Sequence, residues 1–105
     1  MSGTNGSGRR YTVGVPERIR DQLRDIADRA VARGQGDRVT AAYAEILTRL
    51  RQQPREYGEP MYHLRKMRMM VRNVAVDPLY IEFGVHDDQS QVVIRRVRWL
   101  ADPAA

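Results

Sequence analysis

The hydrophobic repeat of this chain changes once, at Pro54, and that change constrains the fold more than any other feature. Upstream, Ile19, Leu23, Ile26, Ala27, Ala30 and Val31 recur at helical spacing, as do Val39, Ala42, Tyr43, Ile46, Leu47 and Leu50. Charged residues fill the opposite faces, as on two amphipathic helices. Downstream, Leu79, Ile81, Phe83 and Val85 alternate with Tyr80, Glu82, Gly84 and His86, the two-residue period of a half-buried strand. A chain that runs helices first and strands afterwards belongs to the α+β class.

Turn residues set the boundaries. Tyr11, Val13 and Val15 alternate with Thr12 and Gly14, a short strand that Pro16 ends by opening a helix. Gly34-Gln35-Gly36 closes that helix, and Asp37 is the expected N-cap of a second, running from about Arg38 to Gln52. Pro54 to Pro60 reads as loop. In the following strand Met67, Met69 and Val71 face one way and Arg68, Met70 and Arg72 the other, before a turn at Asp77-Pro78. Asp87 to Ser90 is the next turn. The last strand, Val92 to Trp99, sets Val93, Val97 and Trp99 on one face and Val92, Ile94, Arg96 and Arg98 on the other. The expected order is β-α-α-β-β-β, a helical hairpin packed on a mainly antiparallel four-stranded sheet. One domain spans 11–100, between a polar, Gly-rich tail at 1–10 and a short tail at 101–105.

Size and composition exclude several functions. At 105 residues the chain is too short for a (β/α)₈ barrel or a full dinucleotide-binding domain. It has no cysteine, so thiolate catalysis, iron–sulfur clusters and cysteine-bound zinc are excluded. His63 and His86 are too far apart for a metal motif, so neither metal nor other cofactor is expected. No run approaches the roughly 18 apolar residues of a membrane span, and Met1–Arg10 lacks the apolar core of a signal peptide. The expectation is a cytoplasmic protein with no membrane partner.

Charge supplies the candidate site. The net charge is +5, and the basic residues are all arginine except Lys66. Arginine's planar fork suits phosphate and carboxylate. Arg65, Lys66, Arg68 and Arg72 have no acid among them, and on a strand Arg68 and Arg72 share a face. Arg96 and Arg98 share a face of the last strand. If the two strands are neighbours, these groups form one basic patch away from the helices, for nucleic acid or an acidic partner. Tyr80 has the parity to join them and stack on a base, with Glu82 as a salt-bridge partner that dampens the patch. RNA cleavage through the 2′-oxygen needs a proton acceptor, and His63, beside the basic segment, is the candidate base. His86 reads as a turn residue with no role of its own. Tyr57, Met61, Tyr62, Met67, Met69 and Met70 pack around the loop, or, where a Met is exposed, receive a partner helix or extended peptide.

The chain resembles the RelE/ParE toxin superfamily of toxin–antitoxin systems from about Tyr11 to Trp99. The resemblance is carried by the strand Tyr11–Val15, the paired helices, the Leu50…Pro54…Gly58 spacing, and the run from Arg72 through Pro78–Val85 to Val92–Val97. It implies a toxin-like component, held by a cognate antitoxin and acting on translation by ribosome-dependent mRNA cleavage, or on DNA gyrase. Homodimers are a further possibility. Arg72 matches the family's basic residue near the end of the second strand, which gives it a catalytic role beside His63. Three positions depart from the ribonuclease-type pattern. Pro78-Leu79-Tyr80 stands where those members carry a Gly-Tyr-Arg-like segment, Trp99-Leu100 replaces a His-Arg or Lys-Arg pair, and the tail has no tyrosine. The departures set a second reading beside the first: a catalytically inactive member that binds protein or RNA.

Overall fold

Pro16 turns the chain from strand into helix, because its ring fixes φ at −57° and supplies no N–H to a ladder. The protein is described here by a computed structural model covering residues 10–101. Most of the tail expected at 1–10 and residues 102–105 lie outside the described residues. Strand β1 is Thr12–Gly14, helix α1 is Glu17–Ala32 and helix α2 is Gly36–Gln52. Gly34, at φ 73°, takes the left-handed conformation that lets the helices follow each other so closely. Helix α2 begins one residue before Asp37, and its N-cap is Gln35. Asp37 therefore sits in the first turn, where its charge meets the positive end of the helix dipole, and is not the expected cap. No helix among the described residues is long and apolar enough to cross a membrane.

After a 3-10 turn at Pro54–Glu56 come β2 (Glu59–Leu64), β3 (Met69–Val76), β4 (Leu79–His86) and β5 (Gln91–Trp99). The sheet order is β1-β5-β4-β3-β2. Strand β1 runs parallel to β5, and every other pair is antiparallel. The fold is thus α+β, two helices on a mixed five-stranded sheet, where the sequence pattern had pointed to four strands. The additional strand is β2. Its residues are exposed except for half-buried Leu64, so no alternation marks it, and a register shift between Pro60 and Tyr62 breaks what pattern remains.

The core lies between the helices and one sheet face. Ile19, Ile26 and Ala30 of α1 and Val39, Ala42, Ile46 and Leu50 of α2 meet Leu79, Ile81, Phe83 and Val85 of β4 and Val92, Ile94, Val97 and Trp99 of β5. Ile94 and Val97 are three residues apart yet share this face. A bulge allows it: Phe83 pairs with Ile94 and Glu82 with Arg96, leaving Arg95 as the extra residue. The expected grouping of Val93 with Val97 and Trp99 is corrected accordingly. Val93 stays opposite the helices, and Arg96 and Arg98 join it there.

Strand β3 departs from expectation as well. Paired residues share a face, and Met70, Arg72, Val74 and Val76 pair with Val85, Phe83, Ile81 and Leu79, so all four point to the helix side. Met69 and Val71 point the other way and are nevertheless buried, at 9% and 0% exposure. Gly84 makes room for Met69. A Cβ at Gly84 would lie 2.3 Å from the Met69 sulfur, so that thioether lies across the bare glycine backbone.

Candidate nucleic-acid interface

The sheet face away from the helices brings together three of the residues singled out by sequence. On that face Tyr80 pairs with Arg98 and Glu82 with Arg96. The Tyr80 hydroxyl donates to Glu82 Oε2 at 2.8 Å, and Arg96 Nη1 stands 3.8 Å from the same oxygen. Glu82 therefore organises the cluster and offsets part of its charge, the expected dampening. Arg96 stays largely exposed, and Arg98 has no ion-pair or hydrogen-bond partner for its side chain among the described residues. Burial, the hydrogen bond to Glu82 and that carboxylate's charge all hold the Tyr80 phenol above its ordinary pKa of 10.0. At neutral pH it is a neutral hydroxyl donor on a half-buried ring.

The basic segment before β3 is placed differently. Arg65 to Arg68 form the β2–β3 turn, and Arg68 has a left-handed φ of 54°. Its guanidinium pairs with Asp88. Arg65 and Lys66 are exposed, with no salt-bridge partner among the described residues. From this turn Met67 reaches over the sheet, its sulfur 4.0 Å from Arg95 Nη1. The turn thus borders the open face but does not continue it as a strand.

Arg68 and Arg72 do not share a strand face, which corrects the expectation. Arg72 lies on the helix side, where Nε donates to the Tyr57 carbonyl at 2.7 Å and Nη2 to the Gly58 carbonyl at 3.0 Å. It ties the loop before β2 to the sheet. His63 pairs with Met70, which also puts it on the helix side, and its Nε2 lies 2.8 Å from Asp87 Oδ2. The residues read as a catalytic pair are therefore held by separate partners, on the face opposite Arg96 and Arg98. His86 does have a task. Its Nδ1 accepts from the backbone N–H groups of Asp88 and Gln89, each at 3.0 Å, and so closes the β4–β5 turn.

Chemically, the open face offers two guanidinium forks one strand repeat apart, a phenol and a buried apolar floor of Met69 and Val71. That arrangement can hold phosphate oxygens and a stacked ring together. Among the described residues no three His, Asp or Glu side chains cluster as a metal ion would need. Glu82 stands beside the arginines, as its parity with Tyr80 predicts, and in addition accepts from the Tyr80 hydroxyl. Arg95, clustered with Arg96 and Arg98 in sequence, is the unpaired residue of the β5 bulge. No protein-family model, curated protein or solved structure matches this chain.

Proposed function

We propose that this chain is a toxin-like protein of the RelE/ParE type, acting on translation by binding RNA across the open face of its sheet. The observation that carries the reading is the pairing of Tyr80 with Arg98 and Glu82 with Arg96, which gathers an aromatic ring and two largely exposed guanidinia on one surface. Single-stranded nucleic acid is held by that combination of charge and stacking. Arg72 and His63 lie on the other face and are occupied, so the reading is of binding first. A cognate antitoxin is the partner this reading implies.

The cleavage reading keeps one specific support, the Tyr80–Glu82 hydrogen bond beside Arg96. A carboxylate that accepts a proton next to a guanidinium that steadies phosphoryl charge is the pair that 2′-oxygen attack requires. Expression in bacteria tests the proposal together with direct RNA binding. The intact soluble chain should arrest growth and bind single-stranded RNA, and the R96A/R98A variant should lose at least about tenfold in binding and relieve the arrest. His63→Ala should change neither. Soluble intact chain without arrest, or a double variant that arrests and binds undiminished, overturns the proposal. Loss of arrest in Glu82→Gln with RNA binding retained would mark cleavage as the activity.

A further inference from the structure

Four methionines lie among the described residues, and their surroundings differ. Met69 is 9% exposed and Met70 is half-buried, whereas Met61 and Met67 are 41% and 49% exposed. Exposure alone makes Met61 and Met67 almost equally open to a dissolved oxidant. Their partners set them apart. The Met67 sulfur accepts a contact from Arg95 Nη1 at 4.0 Å, and the Met61 sulfur has no such contact among the described residues.

The fold itself places Arg95 there, as the extra residue of the β5 bulge with no cross-strand partner. Its guanidinium has no carboxylate partner among the described residues, and the Met67 thioether is the one side chain it contacts there. A thioether is a weak acceptor for a charged donor. The 4.0 Å gap is too long for a strong bond, yet it has room for one oxygen between sulfur and nitrogen. An oxygen joined to that sulfur stands about 2.8 Å from Nη1, an ordinary N–H···O distance. The turn that carries Met67 is otherwise tied to the β4–β5 turn, where Arg68 pairs with Asp88 and its carbonyl accepts from the Asp87 N–H.

We propose that Met67 is a site of reversible oxidation by peroxide, and that Arg95 directs the reaction and holds its product. The sulfur lone pair that faces Arg95 attacks one oxygen of hydrogen peroxide. An S–O bond forms as the O–O bond breaks, and the departing hydroxide takes the proton of the transferred hydroxyl to become water. Sulfur loses two electrons and the peroxide gains them. The guanidinium, a permanent cation, donates to the peroxide as negative charge develops on its oxygens, and afterwards to the sulfoxide oxygen. That charge-assisted bond is stronger than the contact with the thioether. It adds a second tie to the β2–β3 turn, at the β5 bulge, and fixes exposed Arg65 and Lys66 beside the open face. Sulfoxide reductases, one for each sulfur epimer, restore the thioether. Because a single lone pair faces the guanidinium, one epimer forms in excess. None of this depends on RNA binding.

The test treats the full chain with limiting hydrogen peroxide and follows each methionine by peptide mass spectrometry. Met67 should oxidise at least about threefold faster than Met61. Treatment with each epimer-specific reductase in turn should show one epimer dominant at Met67 and no excess at Met61. These two comparisons need no variant. Arg95→Leu should abolish the rate difference and the epimer excess. Arg65→Leu, which removes a nearby cation without that contact, should change neither. In Met61→Leu, oxidation at Met67 should slow amide hydrogen exchange across 65–68, and in M61L/R95L it should not. Equal rates at Met61 and Met67, equal epimers at Met67, an excess that survives Arg95→Leu at an unchanged thermal midpoint, or exchange unslowed by oxidation overturns the proposal.

Discussion

Arg72 shows how a side chain's partners change the meaning of its charge. Sequence places it in a run of cations with no acid nearby, and counting charges cannot tell a cation facing water from one spent on carbonyl groups. In the fold its guanidinium holds the Tyr57 and Gly58 carbonyls at 2.7 and 3.0 Å, half-buried. Hydrogen bonds from a charged donor contribute about 1.5–3 kcal/mol each, and an orphaned buried acceptor adds a cost. Arg72→Met should therefore lower unfolding free energy by about 2–4 kcal/mol in urea titration. Arg65→Ala, on the exposed turn, should stay within about 0.5 kcal/mol of the parent. The same reasoning separates the two histidines. His63 is exposed and faces an aspartate, whereas His86 lies at the turn that its position before Asp87-Asp88 predicts and caps it, a role its sequence position does not show.

At the scale of elements, strong periodicity was readable and weak periodicity was not. Both helices and β4 carry unbroken repeats, and each stands where its repeat begins and ends. Strand β2 carries none, because its side chains face solvent and it lies at the sheet edge. The bulge at Arg95 shifts the parity of β5, so a strict two-residue count assigns Val93 and Val97 to one face when the backbone separates them. The loop that feeds β2 depends on Gly58, at φ 74°, where a Cβ would lie 2.2 Å from the Asn73 carbonyl oxygen. Gly34 has a similar φ of 73°, but nothing lies within 4 Å of its Cβ position. Gly58→Ala should thus cost about 2 kcal/mol or more and Gly34→Ala about 1 kcal/mol, read as shifts in the urea midpoint. Equal shifts would mean that conformation alone, and not the clash with β3, sets the requirement for glycine.

For the molecule as a whole, the sheet has two faces with different tasks. One is sealed by the helices, and the other carries Tyr80, Glu82, Arg96 and Arg98 in register. The open face was half legible from sequence: the Arg96–Arg98 spacing and the parity of Tyr80 were visible. The removal of Arg68 and Arg72 from it was not, because that depends on a turn and on a tertiary contact. Two arginines, and not the full net charge of +5, should therefore set the electrostatics of RNA binding. The logarithm of affinity should fall against the logarithm of salt with a slope of about −1.4, for two phosphates on a single strand. R96A/R98A should bring the slope close to zero, measured by fluorescence anisotropy over a salt series. A steep slope that survives the double variant would shift the contact to the β2–β3 turn, where Arg65 and Lys66 are exposed.

The position of Trp99 gives this architecture a built-in optical reporter. It is the only tryptophan in the chain, it is 2% exposed, and its ring lies between the core and the guanidinia of Arg29 and Arg33. Its emission comes from the interior while the fold is intact, shielded from dissolved quenchers. Loss of the core moves that emission toward the spectrum of hydrated indole. Rearrangement of the two cations alone changes its intensity with the ring still dry. One unlabelled chromophore thus separates, in a single cuvette, the melting of the domain from events at its arginine-lined rim.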